Sequence, residues 1–286
     1  MRKATAVLAA ALVATTLTAG TASATGGGGG SGELLVLGAN GVLTTHDADR
    51  PLLVRKAARI SGLGRGDQLV GIDVHPANGV LYALSAKGQL YTVDKRSGRA
   101  TAVGAPVALS GKAVGFDFNP TVDRIRVITD SGQNLRLVPD TGALAATDGP
   151  LAYAAGDVAA GTTPRATAAG YTNSVAGATG TVLYDIDAAR DTLVTQGTLP
   201  GVVPAVSPNT GQLLTVGELG LPVSAVNGFD VKGAAPAGAY NPADYRAVAA
   251  VQLRGISVLV KVDLATGKAT FLAPLLTRAV GVAFAG

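Results

Sequence analysis

The last eight residues, AVGVAFAG at 279–286, repeat a phrase found three times earlier: LVGIDV from Leu69, AVGFDF from Ala113 and AVNGFDV from Ala225. Each internal copy is followed by two or three further strand-like segments, whereas the terminal copy is followed by nothing. The segment ELLVLGANGVLTTHDADRP, starting at Glu33, has the opposite defect: it supplies later strands with no opening strand before them. A closed ring of repeats satisfies both ends. In such a ring the tail provides the opening strand of a unit whose other strands lie at the head.

Five positions align as anchors of the repeat, Gly71, Gly115, Ala169, Gly228 and Gly281, at intervals of 44–59 residues. That period, with several short strands in each, predicts propeller blades. The clearest unit runs from Leu69 to Val107: LVGIDV, a turn at HPANG, then VLYALS, QLYTVD and RATAVGAP, alternating with period two. The units from Ala113 and Ala225 repeat this order. Between Arg165 and Leu221 the pattern is weakest, with ATAAGYTNS, TVLYDID, TLVTQ and QLLTVGEL as its four strands and a Pro- and Gly-rich surface loop at 197–211. No stretch sustains apolar spacing of three and four residues, so helix is expected to be scarce. The expected fold is all-β, a single domain over 33–286 with five four-stranded blades. Six blades is the alternative, if 197–225 adds a small sheet.

The N-terminus predicts export. Arg2 and Lys3 precede an apolar run from Ala4 to Leu17, and Ala22-Ser23-Ala24 forms a small-residue cleavage site, so residues 1–24 read as a signal peptide. The run is shorter than the about 20 residues that span a bilayer, so no membrane attachment is expected after cleavage. Residues 25–32, almost all glycine, read as a flexible leader. The formal net charge of +4 includes Arg2 and Lys3. With no basic stripe and few aromatic residues, nucleic acid is excluded as a partner. The chain has no cysteine, so an exported form holds together by apolar burial without disulfides. A secreted monomer is the expectation.

Motifs that suggest chemistry have structural readings beside them. Asp94 to Gly98, Asp263 to Gly267 and Asp140-Thr-Gly resemble ligand loops, but Asp that accepts backbone N–H groups and Gly at positive φ are what tight turns need. Asp185, Asp187 and Asp191 in YDIDAARD lack the central Gly and terminal Glu of a calcium loop. His46 and His75 stand far apart with no further ligands at zinc spacing. Neither a nucleophile elbow nor a phosphate or dinucleotide loop is present. No metal and no cofactor are therefore expected.

One pattern is sharper. Aligned opening strands carry Asp73, Asp117, Tyr171, Asp230 and Ala283, and two residues on come His75, Asn119, Asn173, Lys232 and Ala285. Alternation places these on one face of the innermost strands, around the central channel. The functional reading is a ligand ring, or carboxylates acting as general acid and base. The structural reading is that the three Asp hold neighbouring blades through backbone hydrogen bonds.

At GFDFNP (115–120), NLRLVPDTG (134–142), GYTNS (170–174), LYDIDAARDTLVTQ (183–196) and GFDV (228–231), the chain resembles a bacterial family known as domain of unknown function number 4394. The resemblance covers about Leu34 to Phe284. It implies a secreted, propeller-like β-repeat domain, and it supplies no catalytic residues. Members tend to have a short Pro-Asn-Gly connection after the Gln that corresponds to Gln196. Here that stretch is lengthened to GTLPGVVPAVSPNTG, which unsettles any site built from this loop.

The functional expectation is a non-catalytic extracellular module that binds a ligand or protein at the channel mouth. His75, Asn119, Asn134, Arg136, Tyr171 and Asn173 are its binding candidates. The alternative is a glycoside or lactone hydrolase using Asp73, Asp117 and Asp230. The absence of tryptophan weakens sugar stacking and also a quinone-type cofactor site.

Overall fold

The structure, a computed structural model, describes residues 32–112, 114–223, 225–233 and 240–286, with no side-chain description for 225–227. The expected signal peptide at 1–24 and all of the leader but Gly32 lie outside the described residues.

Five sheets form a ring. Blade 1 combines β1 (Glu33–Gly38), β2 (Val42–Asp47) and β3 (Val54–Arg59) with the final strand β21 (Ala279–Phe284), which lies innermost. Blade 2 is β4 (Leu69–Val74), β5 (Leu81–Ser85), β6 (Leu90–Val93) and β7 (Ala100–Val103). Blade 3 is β8 (Val114–Asn119), β9 (Arg124–Thr129), β10 (Asn134–Leu137) and β11 (Leu144–Thr147). Blade 4 contains β13 (Ala166–Tyr171), β14 (Leu183–Asp187), β15 (Thr192–Gln196) and β16 (Gln212–Glu218), and it gains an outer strand, β12 (Ala152–Tyr153), parallel to β16. Blade 5 is β17 (Ala225–Lys232), β18 (Arg246–Leu253), β19 (Ile256–Val262) and β20 (Ala269–Pro274). The inner strands touch in the order β4, β8, β13, β17, β21 and back to β4, which closes the circle.

The closure pairs tail and head as the interrupted repeat requires. Leu34 faces Phe284, Leu35 faces Ala283 and Val36 faces Val282 across antiparallel β1 and β21. Val282, Ala283 and Phe284 are all buried. Residues 197–211 form a connection between β15 and β16 with one 3-10 turn at Pro208–Thr210, and no sixth sheet is formed among the described residues. The fifth strand of blade 4 departs from the four-strand expectation. Two residues are too short for a periodicity signal, and β12 is held by side chains: Leu151 and Tyr153 are buried, and the Tyr153 hydroxyl donates to Asp187 at 2.6 Å.

All five anchor positions reach the ring axis, where they leave a cavity of only about 10 Å³, room for one water at most. Small residues are needed because inner strands approach so closely: a Cβ on Gly115 would lie 2.8 Å from the Ala169 nitrogen. The Asp-x-x-x-Gly elements are turns. The Asp94 carboxylate accepts the Arg96 and Ser97 amides, and Gly98 takes φ +75°. Asp263 and Gly267 repeat this geometry.

Apolar side chains fill most seams between blades. Leu35 and Leu43 pack with Ile72 and Leu81 between blades 1 and 2, and Leu84 packs with Phe116 and Val127 between blades 2 and 3. Tyr184 and Ile186 meet Phe229 and Val260 between blades 4 and 5, and Leu259 meets Val36 and Phe284 where the ring closes. The seam between blades 3 and 4 is different: Ile128 is the one blade 3 residue in its apolar cluster, and a polar network takes over. No helix among the described residues is long and apolar enough to cross a membrane.

Candidate functional site

The inner strands β4, β8 and β17 bring Asp73, Asp117 and Asp230 together on the axis, with one carboxylate oxygen of each within 4.8 Å of the others. All three are buried. Each also reaches the next blade. Asp73 accepts the Phe118 amide at 2.8 Å, Asp117 the Tyr171 amide at 2.9 Å and Asp230 the Phe284 amide at 2.6 Å. The remaining oxygens of Asp73 and Asp230 accept the amides of Val74 and Val231. Where the aligned position holds Tyr171 or Ala283 this latch is missing, and other side chains bridge: Ser174 donates to the Val231 carbonyl and Lys95 to the Ala285 carbonyl.

Burial raises all three carboxyls above the ordinary carboxylate range. For Asp73 the next cause is the nearby Asp230, and for Asp117 it is Asp73 and then Asp230. Asp230 is pushed up to about 6 by burial, against the pull of the Phe284 and Val231 amides.

The six binding candidates all make contacts within the protein. His75 is buried, stacks on Phe118 at 4.5 Å and bonds Asp123 through Nε2 at 2.6 Å. Asn119 caps its own turn by accepting from the Thr121 amide and hydroxyl. Asn173, at φ +58°, donates to the Gly180 carbonyl and accepts from the Tyr245 hydroxyl. Asn134, Arg136 and Tyr171 do belong together, in the polar seam between blades 3 and 4.

That seam is organised by Arg126, which sequence inspection passes over because it alternates with apolar residues on β9 as an outward residue would. It is almost wholly buried. Its guanidinium donates to the Tyr171 hydroxyl at 3.2 Å, to Asn134 at 2.7 Å, to Asp148 at 2.5 Å and to Asn209 at 2.7 Å. Arg136 meets the same Asp148 with two bonds, at 2.8 and 2.9 Å.

Asp185 on β14 is buried, and neither of its oxygens has a protein partner. Burial pushes its carboxyl up to about 8, opposed by the weaker pull of Arg126. In the unfolded chain this group titrates near 3.9. Between those values the folded state binds more protons than the unfolded chain, so this group's contribution to stability falls as pH rises from about 4 to about 8. Asp185→Asn removes the ionisation. Its melting midpoint is expected to exceed the parent's at about pH 9 and to converge on it towards about pH 5, as thermal unfolding across that range would read. A difference independent of pH would rule this out.

A second concave feature lies where the first and last blades meet. A cavity of about 460 Å³ is walled mainly by Val36, Val42, Leu52, Val54, Leu275 and Leu276. Leu52 is 71% exposed and Leu276 fully so. The polar groups of its wall are satisfied internally: His46 bonds the Pro51 carbonyl at 2.6 Å and the Thr44 hydroxyl at 2.9 Å. Sequence carried a faint signal, since Leu52-Leu53 and Leu275-Leu276 fall beside prolines in connections rather than in strand centres.

The model of the family described as Domain of unknown function (DUF4394) matches residues 42–283. The chain belongs to that family. In this DUF4394 chain the matched span runs from β2 into β21, so it includes the three axial carboxylates and the closing strand. No curated protein matches the chain. Among solved structures, a chain of the nidogen/laminin complex is similar over 89% of this chain and 98% of its own, at 14% identity and a TM-score of 0.42. Dihydro-heme d1 dehydrogenase NirN in complex with DHE is similar over 86% of this chain and 44% of its own, at 13% identity and a TM-score of 0.36.

Proposed function

We propose that the protein is an exported, non-catalytic binding module that takes an apolar, acidic-flanked segment of a partner protein in the groove between its first and last blades. The observation that carries this reading is the groove itself: about 460 Å³ of apolar-walled space with Leu52 and Leu276 held out in solvent. Large exposed aliphatic side chains around a concavity mark interaction sites. Because Thr44 and His46 already bond within the wall, the groove offers little to orient a polar ligand. Arg50, Lys56 and Arg59 are exposed on β3 and the loop before it, which favours acidic residues beside the apolar segment. Reading residues 1–24 as an export signal supports action outside the cell.

Hydrolysis by the axial carboxylates finds less support. Those groups are buried, both oxygens of Asp73 and Asp230 and one of Asp117 accept backbone amides, and the cavity one residue away along each inner strand holds no sugar ring.

The probe for the groove is anilinonaphthalene sulfonate, an apolar anion. Its fluorescence is expected to rise on mixing with the folded protein and to fall several-fold in the Leu52→Asp, Leu276→Asp double variant. Equal enhancement by parent and variant would remove the groove from consideration.

A further inference from the structure

Three carboxylates converge on the ring axis from β4, β8 and β17, with an oxygen of each within 4.8 Å of the other two. None of the ion pairs among the described residues includes them. Lys232 is the cation whose field reaches Asp230, and its ammonium group is engaged with the Gly286 carbonyl at 3.0 Å. A second observation is independent of the clustering. Asp117 is 1% exposed, its Oδ1 accepts the Tyr171 amide, and its Oδ2 has no protein partner. A buried carboxylate oxygen without a donor costs stability unless something else in the site meets it.

We propose that Asp73, Asp117 and Asp230 form a binding site for one divalent cation of the calcium class on the propeller axis. Oxygens around calcium lie at 2.3–2.6 Å, so two ligands on opposite sides of one ion are up to roughly 4.6–5.2 Å apart, against about 4.2 Å for magnesium. Separations of no more than 4.8 Å lie within the reach of one such ion. The donor set is also of the right kind, since hard cations take carboxylate oxygens and complete their shell with water. The backbone amides that bond Asp73 and Asp230 hold each carboxylate in place and favour its ionised form. The ion would join blades 2, 3 and 5 directly. Local spacing could not reveal the site, because its ligands come from three separate repeats and meet only when the ring closes.

The competing arrangement neutralises the cluster with shared protons, and the two differ in a measurable way. The chain, stripped with chelator, is titrated with calcium chloride by calorimetry and followed by thermal unfolding, with magnesium chloride and potassium chloride as comparisons. One calcium per chain is expected, together with a midpoint that climbs with free calcium as linkage requires. Asp117→Asn is expected to weaken binding at least tenfold, while Asp94→Asn, in an exposed turn, leaves it unchanged. Should Asp117→Asn fail to fold, terbium luminescence excited through tyrosine reads the site in the unaltered chain, because Tyr171 adjoins Asp117. Saturable luminescence displaced by calcium supports the site. No saturable binding up to about 10 mM calcium, roughly tenfold beyond the weak end for extracellular calcium modules, or binding indifferent to Asp117→Asn, overturns it.

Discussion

A chain ending at Arg278 is expected to lose most of its cooperative unfolding transition. Removing 279–286 takes away the innermost strand of blade 1 and leaves β1 with an open edge facing the channel. Val282 and Phe284 contribute about 1.5–3 kcal/mol each on burial, against a total stability of about 5–15 kcal/mol for a domain. The loss extends beyond β1. Phe284 supplies the amide that Asp230 accepts, and Lys232 and Lys95 donate to the carbonyls of Gly286 and Ala285, so blades 2 and 5 lose contacts as well. A permutant separates loss of the strand from loss of the chain end. The amide of Ala285 donates to the carbonyl of Glu33, so the ends of β21 and β1 are adjacent. A chain that begins at Ala279, continues through Gly286 and a short linker to Gly32, and ends at Arg278 keeps every strand pairing. It is expected to recover most of the parent's melting midpoint, since closing a short loop changes the entropy only modestly. A truncated chain that melts as the parent does would show that closure adds little.

What could be read from sequence depended on whether the signal repeats. The closing strand was legible because AVGVAFAG matches three internal phrases, and the anchors were legible because close approach at the axis admits only Gly or Ala there. The register that points Asp73, Asp117 and Asp230 inward followed from the same alignment. Their mutual distance did not, since it depends on how five inner strands are arranged around the axis. Features that break the repeat stayed hidden. Arg124 and Arg126 look alike in RIRVIT, yet only Arg126 is covered, because blade 4 packs on that face. Asn134 and Arg136 read as ligand-facing polar residues, and their bonds to Arg126 and Asp148 were not legible beforehand. β12 is set by the burial of Tyr153 and its bond to Asp187, a contact across 34 residues that no local pattern encodes. The apolar groove needs both chain ends, with Leu52 from one and Leu276 from the other.

Arg126→Met is expected to destabilise the protein by about 3–5 kcal/mol, the usual cost of breaking a buried charged pair from one side. Methionine keeps much of the stem's volume, so the loss reports the guanidinium more than a cavity. Four partners on both sides of the seam between blades 3 and 4 would lose a donor at once: Asn134, Asp148, Tyr171 and Asn209. Asp185 would lose the cation that offsets its burial. Arg126→Lys should rescue little, because a single ammonium cannot reproduce the planar fork. Arg50 also pairs with an aspartate but is largely exposed, so Arg50→Met is expected to cost less than about 1 kcal/mol. Urea denaturation of the three variants reads these differences. A double-mutant cycle with Asp148→Asn then separates the ion pair from the other bonds, with a coupling well above 0.5 kcal/mol expected for groups in direct contact. Should Arg126→Met cost no more than Arg50→Met, the polar network would be incidental and the short apolar cluster around Ile128 would have to hold that joint of the ring alone.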